Sequence, residues 1–129
     1  TTLFRSGGEI VAGAHNRVIV DTDPTAHAEV CAIRAAAAAL GRFDLSDCEL
    51  YTTCEPCPMC LAAIHWARIP RIYQGCTRYD AADIGFDDKL IYDALGGETA
   101  SRVTAVETDR RECLDVFREW RDKADKVRY

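Results

Sequence analysis

The sequence predicts an α/β domain with helices covering both faces of a single sheet. Short runs of β-branched and aromatic residues alternate with longer runs of helix formers, and glycine or proline marks most of the joints. A length of 129 residues with 48% hydrophobic content suits one domain with an ample core. Without an internal repeat or a linker-like stretch, residues 1–129 read as a single domain.

Residues 3–4, 10–12 and 18–20 read as short strands. Gly7 and Gly8 supply the positive φ that a hairpin turn between the first two requires. Thr25 reads as the N-cap of a helix that runs to about Leu40 and is closed by Gly41. That helix is rich in alanine, the best helix former, and Val30, Ile33, Ala37 and Leu40 give it one apolar face. Residues 49–53 have strand character. Pro58 opens a second helix, where its missing N–H costs nothing, and Pro70 ends it. Beyond lie a strand at 71–73, a short helix around 88–95, a last strand at 103–107 and a charged helix over 110–127.

A net charge of −5 and a pI near 5.1 argue against a nucleic-acid partner, which needs a basic face. No stretch reaches the roughly 18 apolar residues of a membrane helix, and residues 1–8 do not read as a signal peptide. Seven cysteines, three of them between positions 54 and 60, read as a reduced, cytoplasmic protein with metal-binding thiolates.

Two segments carry chemistry: His27-Ala28-Glu29 and Pro56-Cys57-Pro58-Met59-Cys60. Zinc favours imidazole and thiolate, and three protein ligands leave a fourth position open for water, as in catalytic sites. Cys57 and Cys60 lie at a helix start, so both sulfurs face one way and the helix dipole favours thiolate. His27 lies at the start of the other helix. Glu29 is then placed to take a proton from water activated by the metal and return it to the substrate. A Cys-x-x-Cys alone also serves structural zinc sites and redox pairs. A structural site would need a fourth ligand from Cys54, Cys31 or His65, and a redox pair would leave His-x-Glu unexplained. The combination is the signature of zinc deaminases.

At these residues the chain resembles the cytidine deaminase superfamily. Asp23–Val30 (DPTAHAEV), Cys54–Cys60 (CEPCPMC), Ile84–Asp88 (IGFDD) and the terminal Tyr129 resemble its guanine and guanosine deaminase branch. The resemblance implies a three-layer α/β/α sandwich around a mixed five-stranded sheet, with zinc held by His27, Cys57 and Cys60 and Glu29 as the proton carrier. It also implies a substrate pocket drawn from Asn16, Glu55, Trp66, Asp88 and Tyr129. The implied substrate is a small nucleobase, guanine first, with guanosine, cytosine or an aminotriazine as alternatives. A transfer-RNA adenosine deaminase shares the two metal motifs, and a non-catalytic zinc module is the reading from another class. The implied partner is a second copy exchanging C-terminal segments. Two departures bear on the substrate. The helix that opens the family fold has no counterpart before Thr1, and the acidic residue expected to read the base could be Glu112, Asp115 or Glu119.

Overall fold

A computed structural model describes residues 2–86 and 88–127. Strands β1 (Thr2–Ser6) and β2 (Glu9–Ala14) form the expected hairpin, turning at Gly7 and Gly8, both at positive φ. The helical turn α1 (Val18–Asp21) and helix α2 (Ala28–Leu40) follow, then β3 (Cys48–Cys54), α3 (Pro58–Trp66) and β4 (Arg71–Cys76). Helices α4 (Arg78–Asp83), α5 (Lys89–Gly96) and α6 (Arg110–Asp122) complete the order. The sheet runs β2-β1-β3-β4, with β1 antiparallel to both neighbours and β3 parallel to β4.

The fold is the expected α/β class with a mixed sheet, but the sheet has four strands and not five among the described residues. Residues 18–20 turn into α1 because Asn16 Oδ1 accepts the Val18 N–H at 3.0 Å and Arg17 pairs with Asp21 one turn on, at 2.6 Å. Local bonding there overrides the strand preference of a Val-Ile-Val run. Residues 103–107 are exposed and pair with no strand, so β4 remains the edge.

Phe4, Leu50, Cys48, Leu45, Ile64, Ala32 and Ala36 form the centre of the core between the sheet and α2 and α3. The sequence placed Val30, Ile33, Ala37 and Leu40 on the buried face of α2. The structure instead turns Ala28, Glu29, Ala32 and Ala36 inward, with Ile33 and Leu40 flanking the core. Small side chains let α2 lie close to the strands, and Val30, Ile33 and Ala37 line an outer groove toward α3. The helix begins at Ala28 with His27, not Thr25, at the N-cap; Thr25 instead closes a turn with Asp23 Oδ1 at 2.8 Å. Gly41 ends it at φ 66°, as expected.

The opposite face of the sheet presents Leu3, Tyr51 and Tyr73 in one row and Arg5, Glu49 and Arg71 in the next. Tyr51 and Tyr73 stack at 4.5 Å. Among the described residues no helix packs along this face, and α6 has no extended contact with another element.

Candidate active site

The two chemistry-bearing motifs fold into the same local structure. His27 (φ −66°, ψ 155°) and Cys57 (φ −63°, ψ 167°) are both extended N-cap residues, and neither side chain makes a capping hydrogen bond. Asp, Asn, Ser or Thr normally fills that position because its side chain satisfies the first free N–H groups. Here the N-cap side chains turn toward each other across the gap between the helices. His27 Nδ1 lies 3.6 Å from Cys57 Sγ. Cys60, in the first turn of α3, brings its sulfur to the same point. One ligand atom from each of the three residues falls within 4.8 Å of the others.

This geometry fits zinc. With Zn–S near 2.3 Å and Zn–N near 2.0 Å, tetrahedral ligands sit about 3.5 Å apart. The His27–Cys57 separation already has that value, and the donor set is the borderline-soft one zinc prefers. Among the described residues this cluster comprises these three donors. Cys54 instead donates to the Thr77 carbonyl at 3.6 Å, and His65 is exposed on α3.

The electrostatics of the pair of thiols follow from the same contacts. The Cys60 thiol, the first-turn N–H groups of Cys60 and Met59 and the His27 ring together hold the Cys57 thiol down to about 6, against burial. Cys60 is driven the other way, strongly upward, by the neighbouring Cys57 sulfur, by burial and by the Glu29 carboxylate. Two adjacent thiols cannot both ionise cheaply without a cation between them. A divalent metal removes that conflict, because it holds both as thiolates.

Glu29 is 9% exposed, and its Oε2 lies 3.6 Å from Cys60 Sγ. It is the one buried carboxylate among the described residues, and a carboxylate is seldom buried without a purpose.

A cavity of about 590 Å³ opens beside this cluster, lined by His27, Glu29 and Cys57 and by Asn16, Thr52, Thr53, Cys54, Glu55, Cys76, Arg78, Ile84, Phe86, Asp88 and Ile91. It lies beyond the carboxyl ends of the parallel strands β3 and β4, the usual place for a ligand in an α/β sheet. Asn16, Glu55 and Asp88 are therefore brought together with the motif residues. Asn16 spends its carbonyl oxygen on Val18, which leaves the amide nitrogen for a ligand. Glu55 accepts the Arg78 backbone N–H at 3.0 Å and pairs with the Arg78 guanidinium at 3.4 Å.

Trp66 is not brought to the cavity. It is 68% exposed and lines the groove between α2 and α3 with Phe43 and Val127, because its place at the end of α3 faces it away from the strand ends. Tyr129 and Asp87 lie outside the described residues. Glu112, Asp115 and Glu119 sit on α6, away from this chain's own cavity.

Sequence reasoning missed Arg78 and Tyr92. The Arg78 guanidinium lies 4.4 Å over the Tyr92 ring, and Tyr92 Oη donates to the Pro56 carbonyl at 3.1 Å. Together they tie α4 and α5 to the loop that carries Cys57. Neither stands in a recognisable motif; only the fold brings them to one point.

Comparison with known proteins agrees with the site. Residues 2–76 match the cytidine and deoxycytidylate deaminase zinc-binding region. The chain is 46% identical over 123 residues to the guanine deaminase of Bacillus subtilis, covering 95% of this chain and 79% of that protein. The crystal structure of the Bacillus subtilis enzyme superposes with a TM-score of 0.89 over 99% of this chain and 82% of that one. A tRNA-specific adenosine deaminase of Haemophilus influenzae is 37% identical over 130 residues, covering 97% of this chain and 73% of its own length. A guanine deaminase structure from Nitrosomonas europaea matches with a TM-score of 0.64 at 34% identity, over 67% of this chain and 52% of that one. The chain thus belongs to the cytidine and deoxycytidylate deaminase zinc-binding family and is a zinc-dependent aminohydrolase.

Proposed function

We propose that this chain removes the exocyclic amine of guanine by hydrolysis, giving xanthine and ammonia, with His27, Cys57 and Cys60 as the zinc ligands. The observation that carries the reading is the three-donor cluster at the edge of a cavity of about 590 Å³, with ample room for a base, and buried Glu29 against it. Similarity to the Bacillus subtilis guanine deaminase over 95% of the chain supports guanine as the base. Zinc in such a site supplies a Lewis acid that makes water nucleophilic near neutral pH.

The chain's own residues do the rest. Glu29, with Oε2 turned to Cys60, takes a proton from the attacking water at Oε1 and delivers it to a ring nitrogen. It then takes the remaining hydroxyl proton and delivers it to the amine, which departs as ammonia. The Asn16 amide nitrogen donates to an acceptor on the base, and Asp88 accepts from its N–H edge at the cavity rim. Glu55, engaged by Arg78, fixes the rim and offers its remaining acceptor capacity to the ring. Ile84, Phe86 and Ile91 supply apolar surface for a flat ring and exclude water.

The assembly is a homodimer exchanging C-terminal segments. Its support is α6 itself, which exposes Val116, Phe117 and Trp120 along one face, and the open sheet face with Leu3 and Tyr73. The partner's α6 would cover such a face, and its Glu112, Asp115 or Glu119 would reach this cavity, with Tyr129 closing it. Seven free thiols favour the cytoplasm, where they stay reduced. Among the described residues no helix is long and apolar enough to cross a membrane.

A second reading, deamination of adenosine in transfer RNA, draws on the Haemophilus influenzae relative, but a net charge of −5 opposes phosphate binding. Ammonia release from guanine, guanosine, cytosine, cytidine, adenine and an aminotriazine, with an adenosine-bearing RNA stem-loop alongside, separates the readings. Guanine as the fastest substrate supports the proposal; turnover of the stem-loop alone overturns it.

A further inference from the structure

Two cysteines in the cavity wall have no part in the proposed reaction. Cys54 ends β3 and Cys76 ends β4, and they are register partners on adjacent parallel strands. Paired residues on neighbouring strands project to the same face, with Cα atoms about 5 Å apart. That separation falls inside the range of roughly 4.4–6.8 Å that a disulfide spans. Both residues line the active-site cavity, and Cys76 is exposed.

The backbone packs tightly just before this pair. A Cβ on Gly75 would stand 3.0 Å from the Thr53 carbonyl oxygen, close enough that the neighbouring strand would have to yield by a few tenths of an ångström. The Glu55 N–H then bonds the Cys76 carbonyl at 2.9 Å, and Cys54 Sγ lies 3.6 Å from the carbonyl of Thr77. The Cys54 sulfur is thus held alongside the segment that carries Cys76.

We propose that Cys54 and Cys76 form a dithiol in the active-site wall that low-molecular-weight disulfides oxidise to a reversible cross-link, which slows deamination. The Cys76 sulfur, the more accessible, attacks one sulfur of the small disulfide; that S–S bond breaks and one small thiol leaves. Cys54 then gives its proton to solvent and attacks the Cys76 sulfur, releasing the second small thiol. Two protein thiols lose two electrons and the small disulfide gains them. Burial holds the Cys54 thiol up, so the exposed Cys76 is the thiol that attacks first.

The consequence for activity rests on the deaminase reading. A disulfide needs Cβ atoms about 3.8 Å apart, closer than strand pairing alone sets them, so the strand ends must draw together. Cys54 precedes Glu55, and Cys57 follows three residues after Cys54 in the same connection to α3. A shift of that wall displaces the proposed ligand loop and the base contacts together.

The test equilibrates the zinc-loaded chain in glutathione buffers of rising oxidised fraction, quenches by alkylation, and maps peptides. Zinc content and guanine deamination are read on the same samples. The expected result is one peptide pair joined through Cys54 and Cys76, reversed by dithiothreitol, with zinc retained and a rate lowered about tenfold or more when cross-linking is complete. Cys54 and Cys76 remaining as free thiols or separate glutathione adducts at every ratio overturns the dithiol. Complete cross-linking at an unchanged rate overturns its link to activity. An inactive reduced enzyme counts against the guanine reading alone, because the peptide map still decides the cross-link.

Discussion

His27 and Cys57 occupy equivalent positions on two different helices, each an extended N-cap whose side chain forgoes capping to face the other. This was legible in the sequence to within a residue or two, because His-x-Glu and Cys-Pro-x-x-Cys each announce a helix start. Glu29 was legible for the same reason, and its burial supports the proposed role in proton transfer. Replacing it in the variant Glu29→Gln keeps the shape and removes the proposed base. Turnover should fall about 10²–10⁴-fold with zinc content unchanged, as metal analysis and steady-state rates would show.

Cys57 gives a second residue-scale prediction. Its thiol is lowered from 9.0 to about 6 in the metal-free protein, so the thiolate is populated above about pH 6. Peptide-resolved alkylation after chelation should show Cys57 reacting with a midpoint near 6, where an ordinary thiol has one near 9. A lowered acid stabilises the fold above its unfolded value and loses that contribution as pH falls through the folded one. The contribution from Cys57 is therefore full above about pH 9 and gone below about pH 6. A Cys57 midpoint near 9 would mean that the Cys60 thiol, the first-turn N–H groups and His27 do not favour its thiolate.

At the scale of elements, the strand–helix order came through from sequence wherever periodicity and punctuation agreed: the β1–β2 hairpin, α2, β3, α3 and β4. It failed at residues 18–20, where two local contacts outweigh a β-branched run, and at 103–107, where no neighbour accepts a fifth strand. The buried face of α2 was misjudged because its larger apolar residues mark the groove toward α3. The alanines that let the helix approach the sheet carry little hydrophobic signal. Ala32 and Ala36 are fully buried against Phe4, Leu45 and Leu50. Ala36→Leu should accordingly cost about 1–3 kcal/mol through overpacking, read as a lowered denaturation midpoint with an unchanged slope. Ile64→Ala, which opens a cavity in the same core, should cost about 2–5 kcal/mol.

At the scale of the molecule, the least satisfied feature is the apolar surface of α6 together with the open sheet face. Val116, Phe117 and Trp120 are all exposed in a single chain, and so is much of the Tyr73 ring. In the sequence this segment read only as a charged helix over 110–127; its apolar stripe of Val116, Phe117 and Trp120 emerges once the helix places them on one face. The wild type should scatter light as the proposed dimer, and substituting Phe117 and Trp120 together by glutamate should leave monomers. Unchanged dimers would dismiss the exchange of C-terminal segments.

The three zinc-fitting donors and the proposed proton carrier Glu29 meet in one cluster, and guanine is the base that cluster should deaminate. Xanthine formation from guanine by the zinc-loaded chain, compared with Glu29→Gln at equal zinc content, tests it most directly. The wild type should produce xanthine steadily, and the variant almost none. Equal rates from the two proteins, or no xanthine from the fully metallated wild type, would contradict it.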